Sequence, residues 1–283
     1  MYSEVLCFAA GWRGYTLGSK MKYRVVDAFT QQQFCGNAAA VCLLEGCFTD
    51  GELQLIAAEF NLSETAYLEA LDNGRWSLRW FTPAMEVNLC GHATLAAAHA
   101  LWTEFGVNDE VLRFITRSGE LTVTRTNKLM AMRFPLTITS QVDAGGWAHS
   151  VVDQSILLAA AEAGEDLLIE LLSADAVQSF VPNLASIAAL KSRGLIVTAA
   201  AGSASPIDFV SRFFAPNAGI NEDPVTGSAH CALAHYWSLK TGKNTFSAQQ
   251  VSSRGGALDI CIEDDVVVLS GYAVTTMKGE LLI

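Results

Sequence analysis

The feature that most constrains the fold of this chain is an internal repeat. Three short segments recur in the same order: Arg79–Pro83 as Arg212–Pro216, Cys90–His99 as Thr226–His235, and Arg117–Leu121 as Arg254–Leu258. The offset between paired segments drifts by only four residues, from 133 to 137, and chance is a poor explanation for that regularity. Because self-similarity at a nearly fixed period indicates repeated structural units, the sequence predicts two domains of similar topology.

Each repeat unit reads as a strand, a Pro-containing loop, a glycine turn, a helix and a further strand. This order predicts an α+β fold class with two pseudo-symmetric domains packed side by side. Phe134-Pro135 and a following Thr/Ser cluster interrupt the pattern, so the domains are expected at 21–135 and 136–275, with residues 276–283 returning to the first. Residues 1–20 lack the pattern of an export signal, and we expect an extension that is not part of the fold.

The composition excludes several classes of function. No run of about 18 uncharged apolar residues is present to span a bilayer, so a membrane partner is not expected. The formal net charge of −11 among 283 residues disfavours nucleic acid and anionic lipid surfaces. The seven cysteines form no Cys-x-x-Cys pair, which favours a cytoplasmic location and disfavours a structural zinc site.

A glycine begins the helix in each repeat, and the two helices are expected at 91–105 and 227–239. The first backbone N–H groups of a helix have no intrahelical partner and carry partial positive charge, so they can bind an anion. If Gly91 and Gly227 face each other across an interdomain cleft, a carboxylate can be held there without a metal. The alternative is that the two glycines merely begin two buried helices.

The residues around the two glycines differ between the copies. Cys90 and His92 flank Gly91, whereas Thr226 and Ser228 flank Gly227. Such divergence is expected where the two sides of a cleft have different roles. His99 and His235 fall eight residues after their glycines and are predicted to be structural or solvent-facing, while the role of His230 in the first helical turn stays open.

Glu64 is the remaining candidate for proton transfer. It follows an amphipathic helix predicted at about 51–60 and stands where the next strand begins. A carboxyl group at the edge of a cleft can act as a general acid or base. Its spacing alone leaves open the alternative of an ordinary capping or surface glutamate.

Several motifs together resemble the PhzF-like phenazine-biosynthesis proteins, which share the diaminopimelate epimerase fold. The motifs are Asp27–Phe29, Gly36-Asn37 with Ala39–Val41, Asn61–Thr65, Arg79–Pro83, Cys90–Thr94, Glu222–Ala229 and Arg254–Gly256. The resemblance covers nearly the whole chain from Met21 and departs from the family at Ala38, where proline is common. It implies a curved, mostly antiparallel sheet around a central helix in each domain, and a homodimer.

The resemblance also implies an activity and a set of site residues. The family's members are cofactor-independent isomerases that use one glutamate, which here corresponds to Glu64, to move a proton on a small carboxylate-bearing substrate. His92 and Asp223 would position the substrate or relay protons. The helix starts and Ser228 would bind the substrate carboxylate, with Gly91 and Gly227 bounding the site, and neither metal nor cofactor is expected.

Two alternatives remain open at this point. The same fold includes racemases and epimerases of amino acids that use two opposed thiols, and Cys90 stands where such enzymes have one of them. Its partner would come from the loop before Gly227, but residues 220–228 contain no cysteine, which disfavours that mechanism. The other alternative is a catalytically silent relative that serves as a binding or scaffold protein.

Overall fold

The structure, a computed structural model, describes residues 20–143 and 146–283. The strands are β1 Lys20–Ala28, β2 Asn37–Leu43, β3 Glu64–Ala70, β4 Arg75–Phe81, β5 Glu86–Val87, β6 Val111–Thr116, β7 Gly119–Thr126, β8 Leu129–Pro135, β9 Thr139–Val142, β10 Leu157–Ala163, β11 Asp166–Leu171, β12 Leu195–Ala200, β13 Phe209–Ala215, β14 Ile220–Asp223, β15 Thr245–Gln250, β16 Gly256–Glu263, β17 Val266–Gly271 and β18 Ala273–Leu282. The helices are α1 Asp50–Phe60, α2 Gly91–Thr103, α3 Ala174–Ser179, α4 Leu184–Ala188 and α5 Gly227–Thr241. The predicted extension lies outside the described residues, except that Lys20 is the first residue of β1.

The strand order of the first half is repeated in the second. In the first half β2 is parallel to β3, β3 is antiparallel to β4, and β4 pairs with both β5 and β6 before the β6–β7–β8 meander. In the second half β11, β12, β13, β14, β15, β16 and β17 make the same series of pairings with the same directions. The predicted α+β class with mostly antiparallel sheets is therefore what the structure has.

The two halves exchange strands. After β8, the chain enters β9, which pairs antiparallel with β10 of the second half. After β17, the chain enters β18, which pairs antiparallel with β1 from Ala273 opposite Ala28 to Leu282 opposite Lys20. The antiparallel β8–β17 pair, with Met132 opposite Leu269, joins the two halves directly. The domain limits at 135/136 and 275/276 stay predictions.

One helix lies at the centre of each half. In α2 every residue from Ala93 to Ala98 is fully buried, and in α5 the residues from Ala229 to Ala234 are at most 4% exposed. A helix that is apolar on all sides is stable only when it is surrounded by other elements. Both helices belong to one large apolar cluster that includes residues from the strands of both sheets.

The helix ends depart modestly from the sequence prediction. α2 ends at Thr103 instead of 105, and α5 continues to Thr241 instead of 239. The later end of α5 has a physical cause, because Gly242 adopts a left-handed conformation (φ 70°) and its N–H bonds the carbonyl of Ser238. Within the described part of the chain, no helix combines the length and apolarity needed to cross a membrane.

Candidate active site

The starts of the two central helices meet between the halves. A Cβ built on Gly91 would lie 3.7 Å from the Cα of Gly227, and a Cβ on Gly227 would lie 3.7 Å from the Cα of Gly91. The two backbones are therefore in close contact at the pseudo-two-fold axis. Residues on either side of each glycine are brought to one place from both halves.

Glu64 and His92 pair on the first-half side of this junction. Glu64 is the first residue of β3, and His92 is the second residue of α2. The Oε2 atom of Glu64 lies 3.0 Å from Nε2 of His92, and the two residues are 9% and 4% exposed. An ordinary surface glutamate, the alternative that the spacing left open, is excluded by this burial and pairing.

Cys90 lies against the other nitrogen of His92, with its Sγ 3.5 Å from Nδ1. Burial acts to lower the pKa of His92, but the adjacent Cys90 and Glu64 raise it, and the net pKa is well above its usual value. Burial and the Glu64 carboxylate raise the pKa of Cys90 to about 11. At neutral pH Cys90 is therefore a protonated thiol, and His92 lies between this thiol and Glu64.

Asn37 connects this cluster to the second half. It is fully buried at the start of β2, and its Nδ2 atom donates to Oδ1 of Asp223 at 2.8 Å and to the carbonyl of Val225 at 3.0 Å. The same Nδ2 lies 3.2 Å from Nδ1 of His92. Asn37 thus stands between His92 of one half and Asp223 of the other.

Asp223, at the end of β14, is held from several sides. Thr226 donates its hydroxyl to Oδ2 of Asp223 at 2.5 Å. Burial raises the pKa of Asp223 to about 6, with the positive charge of His92 acting in the opposite direction. Gln250 completes the support, because its Nε2 donates to the Asp223 carbonyl at 2.6 Å and its Oε1 accepts from the Thr226 N–H at 2.9 Å.

Ser228, the last of the predicted site residues, occupies the second position of α5 and is exposed. Its hydroxyl accepts a hydrogen bond from Nη2 of Arg193 at 3.0 Å. Glu64, His92, Asp223, Gly91 and Gly227 are thus brought together at the junction, with Ser228 next to Gly227 on the second-half side.

The other histidines of the central helices have structural partners. His99 lies 3.1 Å from the Thr275 hydroxyl of β18, and His235 accepts from the Thr139 N–H of β9 at 3.0 Å. His230 is fully buried, and its Nδ1 donates to the Thr226 carbonyl at 2.7 Å. Burial lowers the pKa of His230 to about 4, so it is a neutral core residue. These positions match the structural role predicted for His99 and His235.

Glu64, Cys90 and His92 also meet the geometric requirement for a metal site. One ligand atom from each lies within 4.8 Å of the others. A nitrogen, a thiolate sulfur and a carboxylate oxygen are ligands that zinc accepts. Binding a metal there would require Cys90 and His92 to release their protons, and it would compete with the contact between His92 and Glu64.

Sequence reasoning missed three residues of this site as functional candidates: Asn37, Gln250 and Arg193. Asn37 was part of the Gly36-Asn37 motif, which offered a signal. Gln250 ends β15 and Arg193 precedes β12, and neither lies in a repeated or recognisable segment. Only the tertiary fold brings them to the helix starts.

Comparisons of sequence agree with these motifs. The chain matches the family described as phenazine biosynthesis-like protein over residues 26–279. A protein of Halalkalibacterium halodurans, named as an uncharacterized isomerase, is 44% identical over 262 residues, which are 92% of this chain and 97% of that protein. The phenazine biosynthesis-like domain-containing protein of Homo sapiens is 39% identical, with 93% of this chain and 99% of that protein covered.

Solved structures agree on the fold. A PhzF-family protein from Enterococcus faecalis superposes with a TM-score of 0.88 at 38% identity, covering 94% of this chain and all of that chain. A hydroxyproline epimerase from Agrobacterium vitis superposes with a TM-score of 0.62 over 93% of both chains, at only 9% identity. The second likeness concerns the fold alone. Together they confirm the predicted α+β architecture, which is also the fold of that epimerase.

Proposed function

The chain belongs to the family of phenazine biosynthesis-like proteins, and from this membership we propose that it is a cofactor-independent isomerase. Its substrate is a small molecule that carries a carboxylate, and the reaction moves a proton from one carbon to another. The observation that carries the proposal is the buried Glu64–His92 pair at the meeting point of the two helices. Sequence relatives are named as isomerases, which supports the reaction class.

Glu64 is the proton-transfer group in this proposal. Its carboxylate takes a proton from an acidic C–H bond of the substrate, and the released electron pair shifts through the adjacent unsaturated bond. The same carboxyl group then returns the proton to a different carbon, so the substrate is isomerised and the enzyme is unchanged. One group that alternates between two protonation states is sufficient for this sequence.

His92 and Asp223 have supporting roles. Nε2 of His92, 3.0 Å from Oε2 of Glu64, holds the Glu64 side chain in position to accept a proton. Asp223, whose pKa burial raises to about 6, can hold or release a proton near neutral pH and is positioned by Asn37 and Thr226. Helix N–H groups beside Gly91 and Gly227 stabilise negative charge as it develops on the substrate.

The second candidate function is a racemase or epimerase with two thiols. Cys90 is the residue before Gly91, and its equivalent in the second half, the residue before Gly227, is Thr226. A hydroxyl bound to Asp223 is a poor substitute for a thiolate, because only the thiolate is an effective base near neutral pH. The one-carboxylate mechanism therefore accounts for the residues better.

The partner and location are also proposals. The resemblance to the family supports a homodimer, and the cysteine usage supports a cytoplasmic location. The repeated strand order supports a tandem duplication as the origin of the two halves. Light scattering of the purified protein tests the dimer, and a monomer would remove that part of the proposal alone.

The test of the activity is hydrogen exchange in D₂O. Small unsaturated carboxylic acids are incubated with the protein, and exchange of carbon-bound hydrogen is followed by NMR. At least one compound is expected to exchange in the presence of the wild-type protein and not with the Glu64→Gln variant. A compound that exchanges equally with both proteins would show that Glu64 is not the proton-transfer group.

A further inference from the structure

The second half has no carboxylate at the position that corresponds to Glu64. In the first half Thr65 pairs with Phe81, and in the second half Leu195 pairs with Phe214. Phe81 and Phe214 are equivalent in the repeat, so Leu195 is equivalent to Thr65. The residue before Leu195, which corresponds to Glu64, is Gly194.

No side chain fits at Gly194. A Cβ there would lie 2.4 Å from Cζ of Phe213 and 2.9 Å from the carbonyl oxygen of Phe214, and both distances are shorter than real contacts. The Phe213 ring therefore occupies the space that the start of a side chain would need. The residue before Gly194 is Arg193, which has a long, charged side chain.

Arg193 is held in place by a buried carboxylate. Its Nε donates to Oδ1 of Asp166 at 2.9 Å, and its Nη2 donates to Oδ2 of the same residue. Asp166 is 3% exposed, and the guanidinium also lies over the Phe213 ring, with Cζ 5.4 Å from the ring centroid. Such a two-point clamp fixes the plane of the guanidinium.

The clamp leaves part of Arg193 available. A guanidinium has five N–H donors, and the bonds to Asp166 and Ser228 account for three of them. The two N–H groups of Nη1 have no partner within residues 20–143 and 146–283, and the side chain is 39% exposed. The positive charge of Arg193 interacts with Glu165 and Asp223 as well as with Asp166, and it lies beside Ser228, a residue predicted to bind the substrate.

Ser228 places Arg193 relative to the proton-transfer group. Ser228 is the second residue of α5, as His92 is of α2, and the two helix starts touch at Gly91 and Gly227. In the first half the second helical residue contacts Glu64, and in the second half it contacts Arg193. His92 and Ser228 are equivalent positions of the repeat, so the two contacts lie on opposite sides of the same junction.

We propose that Arg193, clamped by Asp166, forms with Ser228 the site that binds the substrate's carboxylate opposite Glu64. This inference rests on the proposed function and deepens it, because it selects substrates with an anionic carboxylate. One half thereby fixes the charged end of the substrate while the other moves the proton. A carboxylate bound by a guanidinium is also more favourable as negative charge develops next to it.

The alternative is that Arg193 only neutralises the buried Asp166. The two cases differ in what happens to a substrate analogue that lacks the charge. If Arg193 binds a carboxylate, its removal weakens binding of the acid and not of the corresponding primary amide. If it only neutralises Asp166, the acid and the amide are affected alike.

The experiment measures binding of but-3-enoate and three longer 3-alkenoates, and of their primary amides, by saturation-transfer NMR and calorimetry. The wild-type protein is expected to bind acids better than amides. Arg193→Met is expected to lose about tenfold to 100-fold of the affinity for acids, since charge-assisted hydrogen bonds contribute about 1.5–3 kcal/mol. Affinity for the amides is expected to stay unchanged.

Matched variants keep the result interpretable. Arg113→Met removes an exposed arginine that pairs with Glu120 and is expected to leave the binding of acids and amides unchanged. Because Arg193→Met leaves Asp166 buried without its partner, the double variant Arg193→Met/Asp166→Asn is measured as well, with circular dichroism to verify folding. It is expected to show the same selective loss for acids.

Three results would overturn the inference: no acid binds the wild-type protein, acids bind no better than amides, or the folded double variant binds acids as the wild type does. Failure of the proposed function looks different. In that case Glu64→Gln retains hydrogen exchange, whatever the arginine variants do. If Glu64→Gln shows no hydrogen exchange while the arginine variants bind acids as the wild type does, the carboxylate site is rejected. The isomerase proposal is then left intact.

Discussion

Arg79 in the first half and Arg212 in the second share two equivalent contacts. Each forms a two-point hydrogen-bonded pair with a glutamate of the next strand, Glu86 or Glu222, at distances of 2.7 to 3.0 Å. Each also lies over the phenylalanine two residues further on, at 5.1 Å and 4.9 Å from the ring centroid. The framework that supports the site is therefore the same in both halves.

The residues that carry chemistry differ at equivalent places. Glu64 corresponds to Gly194, and His92 corresponds to Ser228. Asp223, opposite Phe213 in the second half, corresponds to Val87, opposite Trp80 in the first. A similar framework thus supports an asymmetric site, in which each side chain of the proposed mechanism occurs in one copy only. This comparison teaches that the supporting framework and the side chains proposed to act on the substrate can change independently. The following variants test whether they do.

The largest effect is expected from Glu64→Gln. The amide keeps the size of the side chain but cannot take up a proton, so exchange of a responsive substrate should fall by about 10²-fold to 10⁴-fold. Binding should survive. The measurement is substrate-dependent hydrogen exchange in D₂O at several pH values.

Glu69→Gln is the matched control for this variant, because Glu69 lies on the same strand and is exposed. It is expected to exchange at the wild-type rate. If Glu64→Gln exchanges normally and Cys90→Ser does not, a thiol mechanism replaces the carboxylate mechanism.

Gly194→Ala tests whether the equivalent position in the second half is closed to side chains. The added methyl group must displace the Phe213 ring or the Phe214 carbonyl, so the free energy of unfolding is expected to fall by about 1–3 kcal/mol. Urea denaturation measures this change. Gly51→Ala is the control, because a Cβ there meets no atom within 4 Å. Equal effects of the two variants would show that a side chain fits at position 194.

Asp223→Asn tests the charge that only the second half supplies. Burial raises the pKa of Asp223 to about 6, so between about pH 4 and 6 the folded state binds more protons than the unfolded state, and stability falls as pH rises. Asp223→Asn lacks this loss of stability, because asparagine does not titrate. Its free energy of unfolding is expected to exceed that of the wild type by about 1–3 kcal/mol above pH 7.

The difference between Asp223→Asn and the wild type should disappear below about pH 4, where the carboxyl group is protonated in both states. Urea denaturation at a series of pH values follows it. A difference that does not vary with pH would mean that Asp223 does not titrate in this range.

The smallest effect is expected from Cys90→Ser. Burial raises the pKa of Cys90 to about 11, so the residue is a packed thiol at neutral pH and not a base. Hydrogen exchange is expected to decrease by less than about tenfold, compared with the 10²-fold or greater loss expected of a general base. A loss as large as that of Glu64→Gln would contradict the assignment of proton transfer to the carboxylate.

Local sequence signals predicted the parts of the fold that short segments determine. The glycine turns before α2 and α5 and the buried helices after them were predictable, because their residues are contiguous and occur twice. The end of α5 was misplaced by two residues, although Gly242 supplied a stop signal. β9 falls within the predicted second domain at 136–275, but its pairing with β10 was not predicted, since nothing in Thr139–Val142 indicates which strand it will join.

The site was predictable only where motif and repeat coincided. Glu64 was predicted as a site residue because its motif resembles that of a known family. Its spacing alone would have left it as a surface residue. Asn37 and Arg193 lie 27 residues before and 129 residues after Glu64. Their contacts depend on pairing between distant strands, which no local periodicity records.

The pairing of β18 with β1 has a consequence for biosynthesis. β1 is synthesised about 250 residues before its partner strand β18, so one edge of β1 in the nascent first half has no partner until Ala273–Leu282 emerges. Such edges can pair with other chains, and contacts between distant segments form slowly. We therefore expect the newly made chain to depend on chaperones until β18 has left the ribosomal tunnel.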